Sequence, residues 1–307
     1  MKHIVSVSIG SKKRDHRAEV KFLGQTFYLE RRGTDGDLHK AMDLIRELDG
    51  NVDALGMGGI DLYIWGGKRK YVFRQAKKIA AAAQKTPIVD GSGLKNTLER
   101  RVIYQIMQKQ PELLQGKKVL MVSAMDRFGM AEALLEAGCQ ALYGDLIFAL
   151  GVSVPIYRLK TLHSIIAPVV APIVVQLPFK LLYPIGEKQE KRNPNSSFKK
   201  YYEWADVIAG DFHMIKRYLP ERVEGKTIVT NTVTESDIEL LRNSGVKQLI
   251  TTTPEIQGRS FGTNVMEAMI ICLINKPLAD IIPEDYSEIL DELDFQPRFV
   301  SLNNSGY

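Results

Sequence analysis

The chain has 307 residues, 45% hydrophobic and 25% charged, which is typical of a soluble globular protein with room for two domains. Its formal net charge of +5 suits a small anionic ligand. No basic stretch interleaves with aromatic residues, which argues against nucleic acid as a partner. The opening residues, MKHIVSVSIG, do not form a signal peptide, so we expect a cytoplasmic protein.

Residues 1–115 mix strand and helix patterns and predict an N-terminal α/β domain. In chain order, the pattern predicts a strand in HIVSVSIGS, a hairpin turning at Gly24 and Gln25, a helix in DGDLHKAMDLIREL, a hairpin closed by Gly66 and Gly67, a helix over Arg74–Gln84, a strand in TPIVDG and a helix from Leu94 to about Lys109. The segment QPELLQGKK then marks a domain boundary.

Residues 116–275 alternate apolar strands with helical patterns, which favours a Rossmann-like, doubly wound parallel sheet. The predicted strands are Val119–Ser123, Gln140–Asp145, 205–211, 226–232 and 247–253, and IVVQLP is a candidate for a further strand. A helix is predicted from Asn264 to about Asn275. Residues 276–307 are expected to pack back on the rest, and the complete fold class is α/β.

An apolar stretch from Leu162 to Pro184 is about as long as a bilayer crossing. Three prolines break it, and Gln176 and Lys180 interrupt it. A buried connection or a helix pair bent at the prolines accounts for this pattern. A peripheral membrane or partner surface is the alternative.

The segment VSAMDRFG, Val122–Gly129, has the outline of a dinucleotide-binding turn. Only the third glycine of the usual G-x-G-x-x-G spacing is present, as Gly129, and Asp126 stands at the second position. Asp145 lies 21 residues after Ala124, which stands at the first glycine position of this spacing. At that distance an acid binds the ribose of NAD and repels the 2′-phosphate of NADP. These features predict NAD rather than NADP, and a βαβ unit without nucleotide is the alternative. The candidate cofactor-binding residues here are Ser123, Ala124, Arg127, Phe128, Gly129 and Asp145.

The loop TTTPEIQGRSFGTN follows the last clear strand, at the sheet edge where ligands of open α/β sheets bind. Thr252 and Gly258 are candidate cofactor contacts, while Arg259, with Ser260 and Asn264, could bind a substrate carboxylate. A long surface loop that ends in a helix cap explains the same residues.

The segment VDGSGLKN places Asp90, Ser92, Lys95 and Asn96 around the start of a helix. A lysine beside an aspartate can exchange the proton of a hydroxyl during hydride transfer, provided that the pKa of the lysine is lowered. Lys95 and Asp90 are therefore the candidate catalytic pair, and Ser92 and Asn96 are candidate substrate contacts. A capped helix with a solvated lysine is the alternative. Earlier in the chain, RRGTDGDLHK (Arg31–Lys40) is interpreted as a turn and helix cap, with a ligand loop as the alternative.

Neither the five histidines nor the two cysteines show the spacing of a metal site, and none is predicted. Cys139 and Cys272 lie far apart within apolar patterns and are expected to be buried free thiols.

The segments GTDGDLHKAMDLIRELDG, GMGGIDLY, DGSGLKNTLERR and TTPEIQGRSFGTNVMEA resemble those of bacterial proteins labelled quinate 5-dehydrogenase. These are distantly similar to the shikimate/quinate dehydrogenase family, although the glycine-rich loop and the N-x-T-x-P-x-K motif of that family are absent. The resemblance implies an NAD(P)-dependent oxidoreductase with a quinate- or shikimate-like anionic hydroxy acid as substrate.

Two other functions stay open at this point. One is a non-catalytic protein that binds a nucleotide or metabolite in the same crevice, and the other is a membrane-peripheral scaffold acting through Leu162–Pro184. A homo-oligomer is expected in each case.

Overall fold

The computed structural model describes residues 1–67, 69–182, 196–231, 233–253, 255–256, 259–260 and 262–302. The side chains of residues 180, 181, 196, 255, 256, 259 and 260 lie outside this description. The described residues form a mixed α/β fold with two main sheets, each built on parallel strands.

The first sheet is formed by the N-terminal part of the chain. Its elements, with the helices and the small hairpin beside it, are β1 (Lys2–Ser8), β2 (His16–Phe22), β3 (Gln25–Gly33), α1 (Leu38–Leu48), β4 (Ala54–Gly58), β5 (Tyr63–Gly66), β6 (Arg69–Val72), α2 (Arg74–Ala80), β7 (Ile88–Val89) and α3 (Ser92–Lys109). The strand order is β2-β3-β1-β4-β7. β1 pairs in parallel with both β3 and β4, and β2 is antiparallel to β3. All five residues of β4 are buried, as expected for a central strand with both faces covered.

The second sheet and its flanking helices follow in chain order. They are β8 (Lys118–Met121), α4 (Phe128–Glu136), β9 (Gln140–Tyr143), α5 (Asp145–Leu150), α6 (Leu159–Thr161), α7 (Ala167–Val174), α8 (Phe179–Leu182), α9 (Ser196–Trp204), β10 (Val207–Gly210), α10 (Phe212–Tyr218), β11 (Thr227–Thr230), α11 (Glu235–Asn243) and β12 (Gln248–Thr251). The parallel strands lie in the order β9-β8-β10-β11-β12. The predicted strands and helices of this βα series are confirmed, apart from shifts at their ends.

The C-terminal segment connects the two sheets. It contains β13 (Glu255–Ile256), β14 (Arg259–Ser260), α12 (Thr263–Ile274), α13 (Pro283–Glu292) and β15 (Arg298–Ser301). α12 begins beyond the second sheet but packs on β1 and β4 of the first sheet and on α3. α13 packs on α3 and α12, and β15 then adds an antiparallel edge to β12.

The prediction of a strand in IVVQLP is wrong, because Ile173 and Val174 end α7. α6, a π-helical turn over Leu162–Ile166, and α7 form consecutive turns with an apolar side facing the core, where Ala167 and Ala171 are buried. On the opposite side Val169 is 66% exposed, together with its neighbours one turn away, Ile165 and Ile173. Among the described residues, no helix is long and apolar enough to cross a membrane.

Candidate functional site

A cleft of about 650 Å³ lies between the two sheets, at the carboxyl ends of their parallel strands. In each sheet, the chain first adds a strand on one side of the first strand and then crosses over to add strands on its other side. The place where this direction changes is called the switch point, and ligands of open α/β sheets bind there. The two switch points lie between β1 and β4 and between β8 and β10. Residues from the ends of all four strands line the cleft, including Ser8, Gly58, Ser123 and Asp211. The strand order therefore explains why the cavity forms at this place.

One wall of the cleft contains a network of buried charges, which we call the buried ion cluster: Asp61, Lys95, Glu99, Asp126, Arg127 and Asp211. Lys95 donates from Nζ to Asp61 Oδ1 at 2.8 Å and to Asp126 Oδ1 at 2.6 Å. Arg127 donates to Glu99 and, at 3.1 Å, to Asp211 Oδ2. The side chains of Lys95 and Arg127 are only 7% and 2% exposed, so both cations depend on these carboxylates for compensation.

Burial sets the pKa values within the buried ion cluster. It raises the pKa of Asp61 to about 7, with a further contribution from Asp126, and it raises the pKa of Glu99 to about 7. Burial acts to lower the pKa of Lys95, but the charges of Asp126 and Asp61 outweigh it and raise that pKa well above its ordinary value. Lys95 is therefore a firmly protonated ammonium group, and the lowered pKa that a proton-exchanging lysine needs is not found.

A second group of basic side chains lines the cleft, which we call the arginine cluster: Arg14, Arg31 and His213. Arg31 donates to Ser8 Oγ at 2.9 Å and to Asp15 Oδ1 at 2.7 Å. Arg14 Nη1 lies 3.1 Å from His213 Nε2, which must accept this hydrogen bond from the guanidinium. Arg14 belongs to the turn after β1, and His213 to the first turn of α10. Their contact therefore joins the two sides of the cleft.

The turn after β8 corrects the prediction of a dinucleotide site. The carboxylate of Asp145 accepts hydrogen bonds from the backbone N–H groups of Ala124, at 3.2 Å, and Met125, at 2.9 Å. These donors belong to the turn that would face a pyrophosphate, and a carboxylate bound to them repels that anion. Asp145 thus braces its own turn, and it is not held in place for a ribose.

The remaining predicted residues of this turn divide between the cleft and the core. Ser123 and Arg127 line the cleft, whereas Ala124 is fully buried. Phe128 packs against Trp65 and His163, with ring centroids 6.5 and 4.5 Å away. A Cβ on Gly129 would meet the backbone oxygen of Asn96 at 2.3 Å, so this glycine permits close packing of α4 on α3.

Asp90 and Lys95, the predicted catalytic pair, bond to other residues and not to each other in the described structure. Asp90 lines the cleft but accepts hydrogen bonds from the backbone N–H of Leu62 and from the backbone and hydroxyl of Ser92. Lys95 is bonded to Asp61 and Asp126 and makes no hydrogen bond with Asp90 within the described structure. Asp90 thus fixes the turn before α3, and Ser92 and Asn96 lie outside the cleft lining.

The loop before α12 is described only in part. Gly258 lies outside the described residues, and Arg259 and Ser260 are described by their backbone alone, in β14. Thr252 is fully buried, and its backbone N–H donates to Thr230 O at 2.8 Å. Asn264 does line the cleft, where its side chain donates to Ser6 Oγ at 2.6 Å.

Sequence reasoning missed the arginine cluster, Asp61 as a partner of Lys95 and Asp211 as a partner of Arg127. Asp61 follows β4 and Asp211 follows β10, and an acidic residue just after a buried strand is the signal that could have identified them. Arg31 was interpreted as part of a turn and helix cap. In the structure it lies near the carboxyl end of β3 and lines the cleft. In the part of the chain that the structure describes, no group of three or more His, Cys, Asp or Glu side chains could hold a metal ion.

The described residues thus form a mixed α/β protein in which two sheets, flanked by helices, enclose a polar cleft. Family models give a more particular assignment. The chain belongs to the family described as a domain of unknown function, DUF8754, whose model matches residues 93–302. Residues 3–90 match a second domain of unknown function, DUF8753. No curated protein matches the chain.

Several solved structures resemble this chain over nearly its full length. They include a solute-binding protein of an ABC transporter from Burkholderia multivorans (12% identity, covering 98% of this chain and 99% of that one, TM-score 0.40). One from Actinobacillus succinogenes, with bound D-allose, covers 98% of each chain at 10% identity and a TM-score of 0.38. The arabinose-binding component from Shewanella covers 94% and 95% at 10% identity and a TM-score of 0.38. At TM-scores below 0.5, these similarities do not transfer a ligand to this chain.

The predictions of a dehydrogenase and of an NAD or NADP cofactor are wrong. In this chain, Asp145 occupies the N–H groups of the turn that would hold a pyrophosphate. Despite burial, the carboxylates of Asp126 and Asp61 raise the pKa of Lys95 instead of leaving it lowered for proton exchange. The quinate- or shikimate-like substrate was part of the same predicted reaction and is wrong with it, whereas the resemblance to proteins labelled quinate 5-dehydrogenase stays a prediction.

Proposed function

We propose that this protein is a non-catalytic binding protein for a small polar metabolite, which it holds in the cleft between the two sheets. The observation that carries the proposal is the position of the cleft at both switch points, with polar groups contributed from both sides. Its volume of about 650 Å³ is within the usual range for a small-molecule site. The cytoplasmic location and the homo-oligomer stay predictions.

Ser123 supports this interpretation. It is 6% exposed and lines the cleft, yet its Oγ has no hydrogen-bond partner among the described residues. A buried hydroxyl without a partner costs free energy, which a ligand in the cleft would recover by bonding to it.

Native mass spectrometry of the purified protein tests the proposal, since a bound metabolite adds its mass to that of the chain. We expect a small compound to co-purify and to be recovered unchanged after incubation with fresh protein. Ser123→Ala should weaken its binding by about tenfold, the effect of one lost hydrogen bond. Ser287→Ala, which removes a hydroxyl of α13 outside the cleft lining, is the matched control.

Two results would contradict the proposal. Chemical conversion of the compound would remove the non-catalytic part of the claim. Equal affinities of Ser123→Ala and the unaltered protein would indicate that the compound binds outside the cleft.

A further inference from the structure

The arginine cluster holds positive charge at the cleft with little compensation. Arg31 has one carboxylate partner, Asp15, while no carboxylate in the described structure lies within ion-pair distance of Arg14. The partner of Arg14 is the imidazole of His213, which must be neutral to accept the hydrogen bond. Of the two guanidinium groups in this cluster, only that of Arg31 is therefore paired with a carboxylate.

These groups also disfavour one another's charges. Burial, followed by the nearby charge of Arg14, lowers the pKa of Arg31 to about 10. Burial and then Arg14 also lower the pKa of His213. The side chain of Arg31 is only 13% exposed, so water screens little of this repulsion. An anion bound between these groups would relieve it.

The buried ion cluster offers the opposite chemistry within the same cleft. Asp61 lines the cleft, and its Oδ1 is engaged by Lys95, while no described side chain or backbone group donates to its Oδ2. This oxygen and the unpartnered hydroxyl of Ser123 are suited to bind hydroxyl groups of a ligand.

We propose that the ligand is a small hydroxylated anion, with a carboxylate or phosphoryl group bound by Arg14 and Arg31 and hydroxyl groups bound by Asp61 and Ser123. This inference rests on the proposed function and specifies its ligand. Guanidinium groups bind both anions through paired hydrogen bonds, so the two share one recognition chemistry. Because Arg14 contacts His213 across the cleft, an anion bound there would be held from both sides.

Calorimetric titration with inorganic phosphate, malonate and the neutral polyol ribitol tests this inference. We expect the unaltered protein to bind at least one of the two anions more tightly than ribitol. Binding of phosphate alone identifies a phosphoryl ligand, and binding of malonate alone a carboxylate ligand. Arg14→Gln should weaken anion binding by about tenfold or more, because a charge-assisted pair of hydrogen bonds is lost.

Two variants keep the result interpretable. Arg222→Gln removes an exposed arginine paired with Glu224 and should leave anion binding unchanged. Arg14→Lys keeps the charge but not the planar fork and should bind anions with intermediate affinity. A thermal melt of each variant confirms that it is folded.

Failure of this inference differs from failure of the proposed function. If the co-purified compound is neutral, or if Arg14→Gln binds the anions as tightly as the unaltered protein, the anion site is wrong while the binding function stands. If neither anion binds and no compound co-purifies, both are overturned.

Discussion

The buried ion cluster and the arginine cluster line the same cleft but balance their charges differently. In the former, two cations meet four carboxylates at close range, and each cation contacts at least two of them. In the latter, Arg31 is paired with one carboxylate, Asp15, while the guanidinium of Arg14 contacts only a neutral imidazole among the described residues. In the buried ion cluster every cation is paired with carboxylates, whereas the arginine cluster leaves positive charge available to a ligand.

Because of this difference, we expect the buried ion cluster to contribute mainly to the stability of the fold and the arginine cluster mainly to ligand binding. Removing one member of a compensated buried network leaves its partners as unpaired charges, which is strongly destabilising. Removing a member of an uncompensated cation group relieves repulsion in the empty protein and weakens the binding of anions. Substitutions in the two clusters should therefore have different consequences.

The largest effect on stability is expected for Lys95→Met. This change leaves the buried carboxylates of Asp61 and Asp126 without their shared cation, and it should lower the free energy of unfolding by about 3–5 kcal/mol. Urea denaturation measures it. Lys109→Met, an exposed position on the same helix, should change stability by less than about 0.5 kcal/mol. Similar midpoints for the two variants would show that the cluster does not stabilise the fold.

A smaller effect is expected for Asp145→Ala, which removes the acceptor of two backbone N–H groups in the turn after β8. We expect a loss of about 1–3 kcal/mol in urea denaturation. Asp43→Ala, which removes an exposed carboxylate paired with Arg46, serves as the control. If Asp145→Ala instead created an NAD site, calorimetric titration with NAD would detect it, and the bracing role of Asp145 would then be the feature that excludes the cofactor.

The smallest effect concerns pH. Burial and Arg14 lower the pKa of His213, whereas Asp211 and Asp237 act to raise it and Lys216 acts to lower it. A histidine with a lowered folded-state pKa contributes stability that is present above its unfolded value of about 6.5 and is lost as the pH falls through the folded value. The melting temperature of the unaltered protein should therefore fall more on acidification than that of His213→Gln, by up to about 2 °C.

Raised carboxyl pKa values act in the opposite direction. The pKa of Asp61 is raised to about 7 and that of Asp145 to about 6, so these groups favour the folded state as the pH falls. They are present in both proteins and cancel in the difference. Parallel melting curves for the two proteins would contradict the contribution assigned to His213.

Local pattern predicted much of the secondary structure. The hairpin at Gly24, the helix after Asp37 and the alternation of the second sheet follow from periodicity and capping, which depend on near neighbours. The prediction of a strand in IVVQLP was wrong because the pattern of a short apolar run does not distinguish a buried strand from a helix.

The candidate site was less accessible from sequence. The sequence predicted Asp145 at the end of a strand, and in the structure it begins α5, two residues after β9. A carboxylate at this position can accept hydrogen bonds from its neighbouring turn or from a ribose. Arg14 and His213 are 199 residues apart, and no local signal marks their contact. Lys95 was singled out, yet its partners come from the ends of two other strands.

The late position of α12 in the chain affects the order in which the parts of the fold can form. This helix follows the last parallel strand of the second sheet, but Met266, Ala268 and Met269 are buried, at 0–1% exposure, in a helix that covers β1 and β4 of the first sheet. During synthesis, β4 and β1 leave the ribosome about 200 and about 250 residues before the helix that covers them, and a core left open for that time exposes apolar strands. Because α12 follows the parallel strands of the second sheet in the chain, we expect the first sheet to complete its core only after those strands have been synthesised.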